Sequence, residues 1–185
     1  MKVTRNYLTL FTIAGIIVAL DQWTKNLIRV NIPFGGTWLP EGWEALAPYA
    51  RVVHWKNTGA AFGMFQEGAL IFTVLAFVVI AGILWFYRQI EPSDWFLRLA
   101  LAMQLAGALG NLIDRLLFDG VVTDWISVGN FAVFNIADAS ITVGTGIMLL
   151  GVWIMEKREK GEQAENTRDS EELESESRVG IEESV

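Results

Sequence analysis

No cysteine occurs in the 185 residues, which excludes disulfides, thiolate catalysis and cysteine-ligated zinc. Histidine is nearly absent too. His54 stands alone, and its place in the run ARVVHW suits a strand better than a catalytic dyad. Ser140 is the only serine inside a long apolar segment and has no neighbouring lysine or histidine to activate it. No basic face suited to nucleic acid is present, so nucleic acid is not an expected partner.

Charge itself is missing over long stretches. Gly68 to Tyr87 is twenty residues without a charged side chain, and Ala139 to Met155 is seventeen, against the roughly 20 needed to cross about 30 Å of hydrocarbon. Tyr7 to Leu20 is a third apolar block that can continue as helix through DQWTKNLI to Val30. Trp95 to Ile113 is a fourth, interrupted only by Arg98 and Gln104. With 52% hydrophobic residues, eight Trp and eleven Phe gathered into blocks rather than amphipathic stripes, the composition predicts an all-α membrane protein with four transmembrane helices. Lys2 and Arg5 ahead of the first block resemble a signal-peptide n-region. However, no A-x-A-like site follows, and Asp21 and Lys25 stand where small residues should be, so the first helix is expected to be retained.

Lys and Arg near the helix ends set the expected orientation. Lys2, Arg5, Arg88, Arg98, Lys157, Arg158 and Lys160 fall on one side, and Lys25, Arg29, Arg51, Lys56 and Arg115 on the other. This bias places both termini in the cytoplasm. It also brings Asp21, the segment before Gly68, Asp114 and Asp138 to the outer membrane face. Residues 31–67 form the one sizeable extramembrane segment between helices one and two. Ala50 to Trp55 reads there as a strand, and Trp38, Trp43, Tyr49 and Trp55 suit the headgroup level. Residues 156–185 carry eleven acidic and five basic residues, net −6 of the chain's −7. Such a tail is expected to be disordered and cytoplasmic, beyond a membrane domain of residues 1–155.

The polar residues that remain are the informative ones, since ionisable groups near hydrocarbon are costly unless paired or facing a cavity. Asp21 and Lys25 are i and i+4 and can pair, either turning their helix inward or snorkelling at its end. Ala102, Ala106 and Gly110 form a small-residue stripe for close packing. It leads to Asn111, Asp114 and Arg115, where Arg115 is expected to hold Asp114 ionised. Asp119 beside Gly120 reads as a solvated turn, whereas Asp124 lies inside the apolar VVTDWI. Asp138 opens the fourth helix, where a capping carboxylate is the plain alternative. Three aspartates could hold a metal, but none has ligand spacing. No metal or cofactor is expected. The chemistry left is two carboxylates sharing a proton, one drawing a proton from water and the other hydrogen-bonding a peptide carbonyl. Asp124 and Asp138 suit this role, being the two without a basic partner.

DQWTK at 21–25, NTGAAFG at 57–63, GNLIDR at 110–115, VVTDWI at 121–126 and FNIADASI at 134–141 together resemble bacterial lipoprotein signal peptidases, the signal peptidase II family. The resemblance spans residues 1 to about 155. It implies that Asp124 and Asp138 are a catalytic dyad supported by Asp21, Lys25, Asn57, Gly59, Asn111, Asp114, Arg115 and Asn135. It further implies cleavage of lipid-modified prolipoproteins before a diacylglyceryl cysteine, at the outer face of the cytoplasmic membrane, and sensitivity to globomycin-type inhibitors. Trp125 stands where Phe is more usual, Ala139-Ser140 replaces a Ser-first order, and the acidic tail has no counterpart. A competing reading is a small four-helix proton-coupled transporter, which should place its essential acid near the bilayer midplane.

Overall fold

The structure, a computed structural model, describes residues 2–59 and 68–182. Four helices carry it: α1 (Lys2–Asn31), α2 (Ala69–Tyr87), α3 (Trp95–Leu117) and α4 (Ile136–Glu182). Each contains a span long and apolar enough to cross a membrane, namely Tyr7–Asn31, Ala69–Tyr87, Trp95–Leu117 and Ile136–Gly161. The four expected spans are therefore all present, and the protein is a mostly helical membrane protein. The chain divides into two units, residues 1–148 and 149–185.

Helix α3 is the central element of the first unit, and the sequence shows why. Its stripe of Ala102, Ala106 and Gly110 is fully buried, because small side chains let neighbouring backbones come close where no water drives association. A Cβ on Gly107 would lie 2.5 Å from the carbonyl oxygen of Ala137 on α4, and one on Gly110 would lie 2.7 Å from the Asp21 carboxylate on α1. Only glycine fits at these two positions. Helix α2 is the opposite case. Leu70, Ile71, Val74, Phe77 and Val78 are all more than half exposed, as befits a helix facing hydrocarbon that is as apolar as its own side chains. Leu10, Ala14, Ile83, Tyr87, Leu101 and Leu105 form the buried apolar cluster that joins α1, α2 and α3.

A three-stranded antiparallel sheet lies at the C-terminal end of α1 and α3. Its order is β1 (Thr37–Trp38), β2 (Ala50–Asn57) and β3 (Val122–Val128). The sequence predicts β2, but VVTDWI reads there only as an apolar run around Asp124, and so β3 is missed. A strand whose partner lies some seventy residues away leaves little local signature beyond VVTDWI itself. Asp119 and Gly120 do form the expected turn, both at positive φ, 51° and 83°. Backbone bonds from Trp125 and Ile126 to the Phe134 carbonyl, 3.0 and 2.8 Å, then tie the segment before α4 to the free edge of β3. His54 sits in β2, buried, with Nδ1 2.7 Å from the Ile32 carbonyl. Trp38, Trp43, Tyr49 and Trp55 are all more than half exposed.

In the second unit, α4 continues without a break through the segment for which the sequence predicts disorder, as far as Glu182. The residues there are mostly helix formers, and Lys160 pairs with Glu156 at 2.6 Å, an i, i+4 arrangement.

Candidate active site

Four aspartates from three helices and one strand gather where the sheet meets the helix ends. Asp21 and Asp114 form one group. Both are fully buried, as is Lys25, whose Nζ lies 2.8 Å from Asp21 Oδ2, 3.4 Å from Asp114 Oδ2 and 3.1 Å from Asn111 Oδ1. An ammonium has three protons to donate, and each of these acceptors can take one. Asp21 Oδ1 accepts the Ala137 backbone N–H at 2.9 Å, in the first turn of α4. There an anion complements the helix dipole. Of the two sequence readings of Asp21 and Lys25, the structure shows the inward-facing pair.

The expected Asp114–Arg115 brace is not what the structure shows. Asp114 Oδ1 instead takes Arg29 Nη1 at 3.4 Å and Gln22 Nε2 at 3.1 Å, while Oδ2 accepts the Thr123 backbone N–H at 2.9 Å. Consecutive residues of a helix point about 100° apart, so the turn that aims Asp114 at α1 aims Arg115 elsewhere. The Arg115 guanidinium stacks over Phe72, 5.5 Å from the ring centroid, and its buried Nε has no hydrogen-bond partner among the described residues. Gln22 and Arg29 escape the sequence reading. Their signal is present all the same, for Asp21, Lys25 and Arg29 follow at i, i+4 and i+8 on one helix face.

Asp124 and Asp138 form the second group, and carboxamides rather than cations hold them. Asp124 Oδ1 accepts Asn135 Nδ2 at 2.7 Å, and Oδ2 accepts Asn57 Nδ2 at 3.0 Å. Asp138 Oδ1 accepts Asn111 Nδ2 at 2.7 Å, and Oδ2 accepts the Asn135 backbone N–H at 3.3 Å. Asn135 Oδ1 in turn accepts the Asp138 backbone N–H at 2.9 Å, which completes a reciprocal capping box. The capping alternative for Asp138 therefore holds alongside its place in the site. One amide chain joins the pair, because Asn135 Nδ2 also reaches Asn111 Oδ1 at 3.1 Å.

A bulge in β2 makes this possible. Val52 pairs with Ile126, but Trp55 pairs with Asp124, so Val53 and His54 together oppose Trp125. Asn57 then lies opposite Val122, on the same face as Asp124. Without the extra residue Asn57 would oppose Val121, and the alternation of strand side chains would turn it away from Asp124. Asn57 Oδ1 also accepts the Gly59 N–H at 2.9 Å, which fixes which end of the amide faces the acid. Residues 60–63 of the NTGAAFG motif lie outside the described residues.

Asp138, Asn57, Gly59, Asn111 and Arg115 line a cavity of about 470 Å³, walled by Phe72, Val122, Phe131, Phe134 and Ile141. Burial and the nearby charge of Asp138 push the Asp124 carboxyl up to about 7, against the lesser pull of the Asn57 and Asn135 amides and of Lys25. Such a group can carry a proton near neutrality. Ser140, by contrast, spends its hydroxyl on the carbonyls of Met103 and Ala137 at 3.1 and 2.8 Å.

Four apolar spans with a small sheet at one end and an acid-lined cavity beneath it define a polytopic membrane protein with a preformed polar site. A bacterial membrane enzyme determined by the in meso method at 2.3 Å matches with a TM-score of 0.71 at 29% identity, over 78% of this chain and 87% of the other. A second, at 1.9 Å, gives 0.68 at 29% identity, over 78% of this chain and 92% of the other. The family model for signal peptidase (SPase) II matches residues 13–154, and the chain belongs to that family. The lipoprotein signal peptidase of Shouchella clausii is 37% identical over 150 residues, 81% of this chain and 96% of its own length. That of Anoxybacillus flavithermus is 32% identical over 161 residues, 85% and 92%, and that of Streptococcus pneumoniae is 36% identical over 142 residues, 74% and 87%.

Proposed function

We propose that this protein is an aspartic endopeptidase that removes the signal peptide from prolipoproteins, with Asp124 and Asp138 as its catalytic dyad. The observation that carries the reading is the contrast in partners. Of the four clustered aspartates, Asp21 and Asp114 pair with Lys25 and Arg29, whereas Asp124 and Asp138, though they feel the Arg115 charge, take their hydrogen bonds among the described residues from amides. Family membership supports the substrate class, a prolipoprotein, which in this reading carries its lipid when it is cleaved.

In this reading water attacks the scissile carbonyl carbon as Asp138, on the cavity wall, takes one of its protons. Asp124 gives its proton to the carbonyl oxygen, and a neutral gem-diol results. Asp124 then recovers a hydroxyl proton as the carbonyl re-forms, the C–N bond breaks, and Asp138 passes its proton to the leaving nitrogen. Asn57, Asn135 and Asn111 aim the two carboxyls. Asp21, Lys25 and Asp114 fix the helices that carry them, and Gly59 and Arg115 contribute to the cavity wall.

The apolar cavity walls suit the acyl chains of the modified cysteine, and the same surfaces suit globomycin-type inhibitors. The site would face the outer side of the cytoplasmic membrane with both termini inside, the exposed tryptophans at headgroup level, and residues 156–185 a cytoplasmic tail outside the catalytic domain. The transporter reading is not favoured, because Asp114, Asp124 and Asp138 lie at the end of α3, in β3 and in the first turn of α4, beside the sheet rather than midway along a span. The test is incubation of the purified enzyme in detergent with a diacylglyceryl-modified prolipoprotein, followed by mass measurement. Two products divided immediately before the modified cysteine are expected, and an intact substrate overturns the proposal.

A further inference from the structure

The residue before Asp124 is tethered at every polar atom it has. The Thr123 backbone N–H donates to Asp114 Oδ2 at 2.9 Å, its carbonyl accepts Asn135 Nδ2 at 3.4 Å, and its hydroxyl accepts Arg29 Nη1 at 3.1 Å. The same Arg29 nitrogen lies 3.4 Å from Asp114 Oδ1, and its guanidinium stacks over Phe118 at 4.3 Å from the ring centroid. Lys25 is shared between Asp21 and Asp114 at 2.8 and 3.4 Å, so Arg29 supplies the second positive charge. Stacked on Phe118, its rigid guanidinium also holds one nitrogen between two acceptors in a fixed place, which a flexible ammonium stem without that stacking does less well.

We infer that Arg29 is a positioning residue for the dyad. By spanning Asp114 and Thr123 from the last turns of α1, it fixes where β3 crosses the helix ends, and so fixes the carboxyl of Asp124 one residue on. Neighbouring strand residues point to opposite faces, so Arg29 acts behind the strand and does not touch the reacting atoms. Displacing a reacting group by a fraction of an ångström costs far more rate than fold stability, since the loss falls on alignment alone. Arg29 is partly exposed, at 19%, but Asp114 is fully buried, so unfolding is followed beside the rate to separate a loss of alignment from a loss of fold. The inference rests on the proposed peptidase reading.

The experiment compares wild type, Arg29→Met, Arg29→Lys, Thr123→Val and the double variant Arg29→Met/Thr123→Val as full-length enzyme in detergent. Each is assayed with the diacylglyceryl-modified prolipoprotein and followed by thermal unfolding. Arg29→Met is expected to lower kcat about tenfold with KM changed less than about twofold. Arg29→Lys should recover only part of that loss, and the double variant should be no slower than Arg29→Met, because both changes remove one contact. A kcat for Arg29→Met above half of wild type overturns the inference, as does full rescue by lysine or an additive double variant. If Arg29→Met fails to fold, the decision passes to Thr123→Val, for which undiminished kcat overturns the inference. A wild type that leaves the prolipoprotein intact overturns the peptidase reading and this inference together, whereas an active wild type with an undisturbed Arg29→Met overturns the inference alone.

Discussion

Asp21 and Asp114 share one end of the molecule with Asp124 and Asp138, yet the two pairs live in different electrostatic worlds. The first pair is locked by a buried ammonium and a guanidinium. The second is steadied by three asparagines and one backbone amide. A cation at hydrogen-bond distance offsets a carboxylate's charge and ties it in place, whereas an amide orients it without supplying a counter-charge. The two pairs are also connected, for Lys25 and Asn111 form the link between them. Ion-paired and amide-held carboxylates thus sit side by side, separated by the choice of cation or amide as partner.

The largest effect should come from crossing that divide at the dyad. Asp124→Asn and Asp138→Asn each remove the exchangeable proton while preserving shape, and turnover should fall by about a thousandfold, in the range of general acid–base contributions. Initial rates on the lipid-modified substrate measure it, and more than a tenth of wild-type rate in either variant would show that the wrong pair is catalytic. Next comes Lys25→Met, which leaves buried Asp21 without a cation and buried Asp114 with Arg29 alone. A loss of about 3–5 kcal/mol in stability is expected from breaking a buried ion pair. Thermal unfolding in detergent reads it, and a melting temperature like that of wild type would erase the distinction between the pairs.

A finer probe is Asn57→Leu, which deletes an amide that favours the ionised form of Asp124. The Asp124 carboxyl titrates near 7, so the rate should fall as pH rises through about 7 and the shared proton is lost. Without the Asn57 hydrogen bond the proton is held more tightly, and that limb should move to higher pH in a kcat profile. A limb that stays in place, or moves down, contradicts the assignment of Asn57 as a partner of the ionised form. The smallest effect is expected from ending the chain after Lys160. This keeps every residue named in either pair and removes most of the acidic segment. Initial rates equal within about twofold are expected from a segment whose composition offers no apolar face, and a several-fold loss would give the tail a part in the site.

The helices were legible because hydrocarbon imposes a length and a composition on anything that crosses it. Asp124 and Asp138 stood out by elimination, as the two without a basic partner, and the structure joins them through one chain of amides. What stayed hidden was non-local. Arg115 adjoins Asp114 in sequence, yet helix geometry turns them apart, and the cations that matter come from α1, some 85 to 90 residues away in sequence. β3 was hidden for the same reason, as was the bulge at Val53 and His54, because a register shift exists only relative to a partner strand.

The Asp21–Ala137 hydrogen bond joins the first helix to the last across 116 residues of chain, and this bears on how the protein is made. Synthesis delivers α1 first and α4 last. Until Ala137 emerges, the Asp21 carboxylate has Lys25 but lacks the backbone amide that completes its shell, and Asn111 has no Asn135 or Asp138 to meet. The buried polar cluster therefore cannot close before the fourth helix is made, and the last span to be synthesised is the one that completes it.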